Sequence, residues 1–174
     1  KGAPQGVVVE ATKVAMLKLP QALTAVGSLR SDETVILRPE VAGRISAILF
    51  REGERVSKGD VLVRLDDSVQ RADLDKARAN LTLSKTKAVR AADLRAKGFL
   101  SSQAQEEADN NLKVAQADAE LMQARVAKTA IRAPFSGTIG LRMVSVGDYV
   151  KEGQDMVNLE SLDPLKVDFR VPEN

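Results

Sequence analysis

The chain contains no cysteine, no histidine and no tryptophan, and only one tyrosine and four phenylalanines among its 174 residues. Without Cys or His, these residues cannot supply a zinc site, an iron–sulfur cluster, a haem ligand, a disulfide framework or a Ser-His or Cys-His catalytic pair. With 26 Lys plus Arg against 24 Asp plus Glu, the net charge of +2 provides no basic footprint for nucleic acid. Aromatics at 3% leave few platforms on which single-stranded bases could stack. No run of 18 uncharged apolar residues occurs, so the sequence holds no transmembrane helix. The chain starts at Lys1 rather than Met, and any signal peptide or anchor is expected upstream of it.

What is present begins with 44% hydrophobic residues, enough to bury a core. An internal repeat organises them. Arg38, Gly43, Ile45, Gly53, Val56, Gly59, Leu62, Val63 and Leu65 superpose on Arg132, Gly137, Ile139, Gly147, Val150, Gly153, Met156, Val157 and Leu159 at a constant offset of 94 residues, without a gap. Each copy reads as short strands. Residues 35–37, 43–49 and 61–65 are rich in β-branched and apolar residues bounded by Gly or Pro. Gly53 and Gly59 bracket Val56 in a turn–strand–turn, where Gly supplies positive φ without a steric penalty. Two such units, each too small to cover its own face, are expected to share one core as a small sandwich.

Between the copies, residues 68–128 are almost free of Gly and Pro, with Gly98 the one interruption. Asp66 and Asp67 suit the cap and first turn of a helix, and Lys97-Gly98 is a stop signal. Ser101 and Ser102 ahead of Gln105 and Glu106 suit the cap of a second helix. Leu74, Ala77, Leu81, Ser84, Ala88 and Ala91 alternate spacings of three and four, as do Ala108, Leu112, Ala115, Ala119, Met122 and Val126. That is the seam of a coiled coil, and the short connection makes the pair antiparallel. About 30 residues per helix give a rod of roughly 45 Å with one narrow apolar stripe. Such a rod projects from the sandwich. At its end Arg90 and Leu94 share a helix face and Ser101 follows the turn, so a cation, an apolar knob and a hydroxyl gather on a blunt tip.

The pattern Pro-x-x-Gly-x-Ile followed by Glu-Gly-x-x-Val-x-x-Gly-x-x-Leu resembles the half-motif of lipoyl and biotinyl carrier domains. In those carriers a modified Lys stands on the turn joining the halves. Here Val69 falls at that place, and Asp75-Lys76-Ala77 lies too far along, within a helical stretch, so no cofactor is expected. The carrier reading remains as an alternative, tested by a lipoyl or biotinyl adduct on Lys76. Split lipoyl-like halves, an intervening hairpin and the tip pattern Arg90, Leu94, Ser101 together resemble the periplasmic adaptors, or membrane fusion proteins, of Gram-negative tripartite efflux pumps.

That resemblance implies an α+β fold: a lipoyl-like sandwich over 35–66 and 129–159, an α-helical hairpin over 67–128, and strands of an incomplete β-barrel over 1–34 and 160–174. Residues 7–34, from Val7-Val-Val-Glu-Ala-Thr-Lys-Val14 through Ala22-Leu-Thr-Ala-Val26, and Leu165–Val171 alternate as half-buried strands do. The rest of the barrel and a membrane-proximal domain are expected outside the chain. The resemblance further implies a non-enzymatic part anchored at the inner membrane by an upstream lipid or helix and facing the periplasm. Its partners would be an inner-membrane transporter, first of the resistance-nodulation-division (RND) type, a TolC-like outer-membrane channel, and further copies of itself in a ring of about six. Arg90, Leu94 and Ser101 would carry channel docking, while Gly43, Gly53, Gly59, Gly137, Gly147 and Gly153 serve as structural turn glycines. An ABC-type or metal-exporting pump is the alternative setting. The four Met residues do not cluster, and Met122 and Met156 fall on expected core positions, so little is left for soft-metal binding.

Overall fold

The computed structural model describes residues 2, 6–16 and 26–170. Its strands are β1 (Gly27–Ser31), β2 (Thr34–Leu37), β3 (Gly43–Ile48), β4 (Arg55–Val56) and β5 (Val61–Leu65), then, after two helices, β6 (Ala130–Arg132), β7 (Gly137–Arg142), β8 (Tyr149–Val150), β9 (Val157–Glu160) and β10 (Leu165–Phe169). The helices are α1 (Ser68–Ala96) and α2 (Ser102–Ala127).

The two copies of the repeat do not form one sheet each; they interleave. One antiparallel sheet has the order β2-β9-β7-β4 and the other β6-β5-β3-β8, so each takes two strands from each copy. Backbone bonds between the copies come in matched pairs. Gly53 N donates to Ile139 O at 2.8 Å, and Gly147 N donates to Ile45 O at 2.9 Å. Gly59 N donates to Ala133 O at 2.8 Å, and Gly153 N to Pro39 O at 3.0 Å. Turn chemistry repeats as well: the Ser57 N–H donates to the Asp60 carboxylate and the Lys151 N–H to the Gln154 amide oxygen. A half cut from its partner would lose edge strands and turn bonds at once, which accounts for an undivided core.

That core obeys the same symmetry. Leu37, Ile45, Val56, Leu62, Val63 and Leu65 are buried with their counterparts Ile131, Ile139, Val150, Met156, Val157 and Leu159. Four of the six repeat glycines occupy turns at positive φ, namely Gly53, Gly59, Gly147 and Gly153. Gly43 and Gly137 differ from the turn role expected of them, because they open strands β3 and β7. At Gly137 the constraint is close approach: a Cβ there would lie 2.4 Å from the Glu160 carbonyl oxygen of the neighbouring strand.

The hairpin follows from its seam. Leu74, Ala77, Ala88, Ala91, Ala115 and Ala119 are buried, and the remaining stripe positions are half-buried. Its root is fixed to the sandwich by Leu65 N donating to Thr129 O (2.9 Å), Asp66 N donating to Arg44 O (2.8 Å), and a Lys128–Glu40 ion pair (3.0 Å). Asp67 occupies the cap position of α1 but its side chain caps nothing. The Asp66 carboxylate instead accepts from Ser68 N at 3.1 Å, while Asp67 binds the Arg71 guanidinium one turn on at 2.8 Å.

The flanking segments lack partners in the repeat, as their sequences indicate, and two of them pair with each other: β1 and β10 form an antiparallel ribbon with Leu29 opposite Val167. Arg30 and Asp168 pair on its polar side at 3.1 Å, and Leu29, Leu165, Val167 and Phe169 are exposed on the other. The strand expected near Val7–Val14 is not formed. Residues 6–16 are exposed and irregular, since no strand among the described residues offers them a ladder. Residues 22–25 and Val171 of the expected strands lie outside the described residues.

Candidate functional site: the hairpin tip

The tip is built by two caps facing each other across five residues. Gly98 adopts φ +78° just past the end of α1. Its N–H donates to Arg95 O and the Phe99 N–H reaches back to Leu94 O, each at 2.9 Å. These are the two bonds of a Schellman motif, and they leave the turn little freedom. Ser101 then takes an extended backbone (φ −76°, ψ 159°), and its hydroxyl accepts from Ala104 N at 3.2 Å, capping α2.

Arg90 and Leu94 lie one turn apart on α1, with Arg90 exposed and Leu94 38% exposed. Ser101 stands on the far side of the turn, also exposed. No hydrogen bond or ion pair among the described residues joins these three side chains, and the Arg90 guanidinium is unpaired there. Lys97 is tied to Asp93 at 3.5 Å, which leaves Arg90 and Arg95 as the unneutralised cations of the last two turns of α1. The Ser101 hydroxyl spends an acceptor site on the cap but keeps its proton for an outside partner.

Phe99 is the residue that sequence reasoning overlooked. It is 78% exposed at the apex although the chain has only four Phe. Its signal was available in part: Lys97-Gly98 marks a Gly-terminated helix, which puts Phe99 at position C″ on the turn itself. A cation, two apolar side chains and a hydroxyl on a rigid turn can fill a shallow pocket and donate hydrogen bonds. They can perform no bond-making chemistry.

Residues 33–160 match the family described as "RND MFP, barrel-sandwich hybrid domain". The chain belongs to this family of RND membrane fusion proteins. It is 32% identical over 173 residues to multidrug resistance protein MdtA of Proteus mirabilis, covering 89% of the chain and 42% of that protein. It is 36% identical over 157 residues to the antibiotic efflux pump periplasmic linker protein ArpA of Pseudomonas putida, covering 86% of the chain and 42% of the relative. Among solved structures, a MacA–MexA chimera containing the Pseudomonas aeruginosa MexA α-hairpin domain superposes with a TM-score of 0.79 at 28% identity, over 86% of this chain and 55% of that one. The chain thus spans about two fifths of the length of the curated relatives it matches.

Proposed function

We propose that the chain is the hairpin-bearing portion of a periplasmic adaptor joining an inner-membrane RND transporter to a TolC-like outer-membrane channel in a multidrug efflux pump. The observation that carries this reading is a rigid, exposed, chemically simple tip at the end of a long rod, on a sandwich that matches the RND membrane fusion family. The work is geometric. Arg90 supplies charge and hydrogen bonds to the channel end, Leu94 fills a pocket, and Ser101 donates its hydroxyl proton. No helix among the described residues is long and apolar enough to cross a membrane, so anchoring falls to a part of the protein outside these residues.

The β1–β10 ribbon, with its uncovered face of Leu29, Leu165, Val167 and Phe169, is the opening of the barrel domain, and further strands of the full protein cover that face. Copies stand side by side in a ring so that the lipoyl-like units enclose a conduit.

Arg90→Glu or Leu94→Asp should abolish channel association and drug export while leaving the folded protein's melting temperature within about 2 °C, because neither side chain is buried. Co-purification with the channel and drug accumulation in cells measure the two. Unchanged export with either substitution sinks the tip assignment.

A further inference from the structure

Where the last turns of α2 meet the sandwich lies a groove of about 550 Å³, far from the tip and unused by channel docking. Two segments of the repeat build it. Leu37, Arg38 and Glu40 line it together with Ile131, Arg132 and Pro134, which are their counterparts at the same offset of 94 residues. The groove therefore straddles the junction between the two copies. The end of α2 adds Ala124, Ala127 and Lys128 to its wall. Its volume falls within the range of about 300–1,000 Å³ typical of small-molecule sites.

Its chemistry is amphipathic. Leu37 and Ile131 are buried side chains that form the apolar floor, and Ala124, Ala127 and Pro134 present further carbon to solvent. Around them stand three cations, Arg38, Lys128 and Arg132, against one carboxylate, Glu40. Glu40 is spent on Lys128 at 3.0 Å. Arg38 turns its Nε to the Asp155 carboxylate, whereas Arg132 donates from Nη1 to the Gly59 carbonyl at 2.9 Å. The two arginines occupy equivalent positions yet make unlike bonds, so no shared structural contact accounts for an arginine in both copies. What they share is the groove. Arg132 meets no carboxylate among the described residues, and each guanidinium has N–H groups beyond the one so used. Lys128 stands at the C-terminal end of α2, where its charge offsets the negative end of the helix dipole.

We infer that this groove binds an amphipathic organic anion of drug size, its apolar body on Leu37, Ile131 and Ala127 and its acid group shared by Arg38 and Arg132. Planar guanidinium groups suit a carboxylate or sulfonate because they donate paired hydrogen bonds to it. Such a ligand touches both copies of the repeat and α2 together, so it ties the root of the hairpin to the sandwich. The site stands whether or not the tip docks on a channel.

Two probes with one skeleton separate charge from apolar contact: 1-anilinonaphthalene-8-sulfonate, and N-phenyl-1-naphthylamine, which lacks the sulfonate. Each is titrated by fluorescence into purified full-length protein, with no channel or transporter present. The sulfonate should bind saturably and about tenfold more tightly than the neutral probe. Arg38→Gln and Arg132→Gln should each weaken it about tenfold while leaving the neutral probe unchanged. Arg38→Lys with Arg132→Lys keeps both charges and should hold more of the affinity than the paired Gln variant, which separates loss of charge from loss of fold. Ala127→Trp fills the groove from the exposed face of α2 and should abolish the saturable sulfonate signal. A signal that survives Ala127→Trp places the ligand elsewhere and overturns the site. Equal affinity for the two probes, or sulfonate binding indifferent to both Gln variants, overturns the anion. Absence of any saturable sulfonate binding overturns the inference whole.

Discussion

The sandwich and the hairpin are held together in opposite ways. In the sandwich, fourteen buried residues, mostly Ile, Leu, Val and one Met, converge from both copies of the repeat onto one core. In the hairpin only six residues are fully buried along two helices, and five of them are Ala. Ala permits close approach of the helices but buries little apolar area per residue, so the seam contributes little beyond helix propensity. The sandwich thus supplies a rigid mount, while the hairpin leaves nearly all of its surface free for partners. The proposed docking role needs both, and the chain separates them by inserting one between the halves of the other.

The comparison is broken most directly by equal truncations in the two regions. Leu159→Ala in the shared core should cost about 4 kcal/mol, because it removes a wholly enclosed side chain that strands of both sheets surround. Leu81→Ala, at a half-buried seam position, should cost only about 1 kcal/mol. Denaturant titration followed by circular dichroism gives both numbers. Equal losses would show that the seam is as tightly packed as the sandwich and remove the contrast drawn here.

How far each region was legible in the sequence follows from the same physics. The duplication, the seam and the two caps at the tip, Gly98 and Ser101, were readable because repeat spacing, heptad spacing and turn or cap residues are signals carried in the sequence itself. The interleaving of strands between copies was not, since an offset of 94 residues states that two segments are alike and says nothing of which pairs with which. Gly137 looked like a turn residue because its demand for space comes from Glu160, far along the chain. Residues 7–14 alternate as a strand would, yet alternation without a partner ladder forms no strand. At the tip, Arg90, Leu94 and Ser101 could be placed from spacing, whereas the exposure of Phe99 depends on a backbone turn that the sequence marks only by Gly98.

Ser101 sharpens the comparison at a smaller scale, because there the helix cap and the proposed docking surface draw on one hydroxyl. Ser101→Ala should lose about 1 kcal/mol of helix-end stability together with channel association. Ser101→Asp restores an acceptor for the Ala104 N–H but offers no proton to a partner at neutral pH. If Ser101 serves docking, the Asp variant regains the melting temperature and still fails to co-purify with the channel. Recovery of both with Asp would assign the residue to the cap alone.

The smallest expected effect lies where the two regions join. The Asp66 carboxyl is held below its ordinary range by the Ser68 side chain first and the Ser68 backbone N–H second. A carboxylate with a depressed folded-state pKa adds stability at pH values above its unfolded pKa and loses it as the pH falls through the folded value. The joint should therefore be firm at neutral pH and loosen below about pH 4, near the ordinary Asp value. Asp66→Asn keeps an oxygen for the Ser68 N–H but cannot titrate. The wild-type advantage in amide-exchange protection over the first turn of α1 should be present at pH 6 and shrink progressively as the pH is lowered below about 4, while protection of the β7 and β9 core amides shows no difference between the two proteins. Loss of protection in both regions together would mean that hairpin and sandwich unfold as one unit, and the division of labour between them would then concern surface alone.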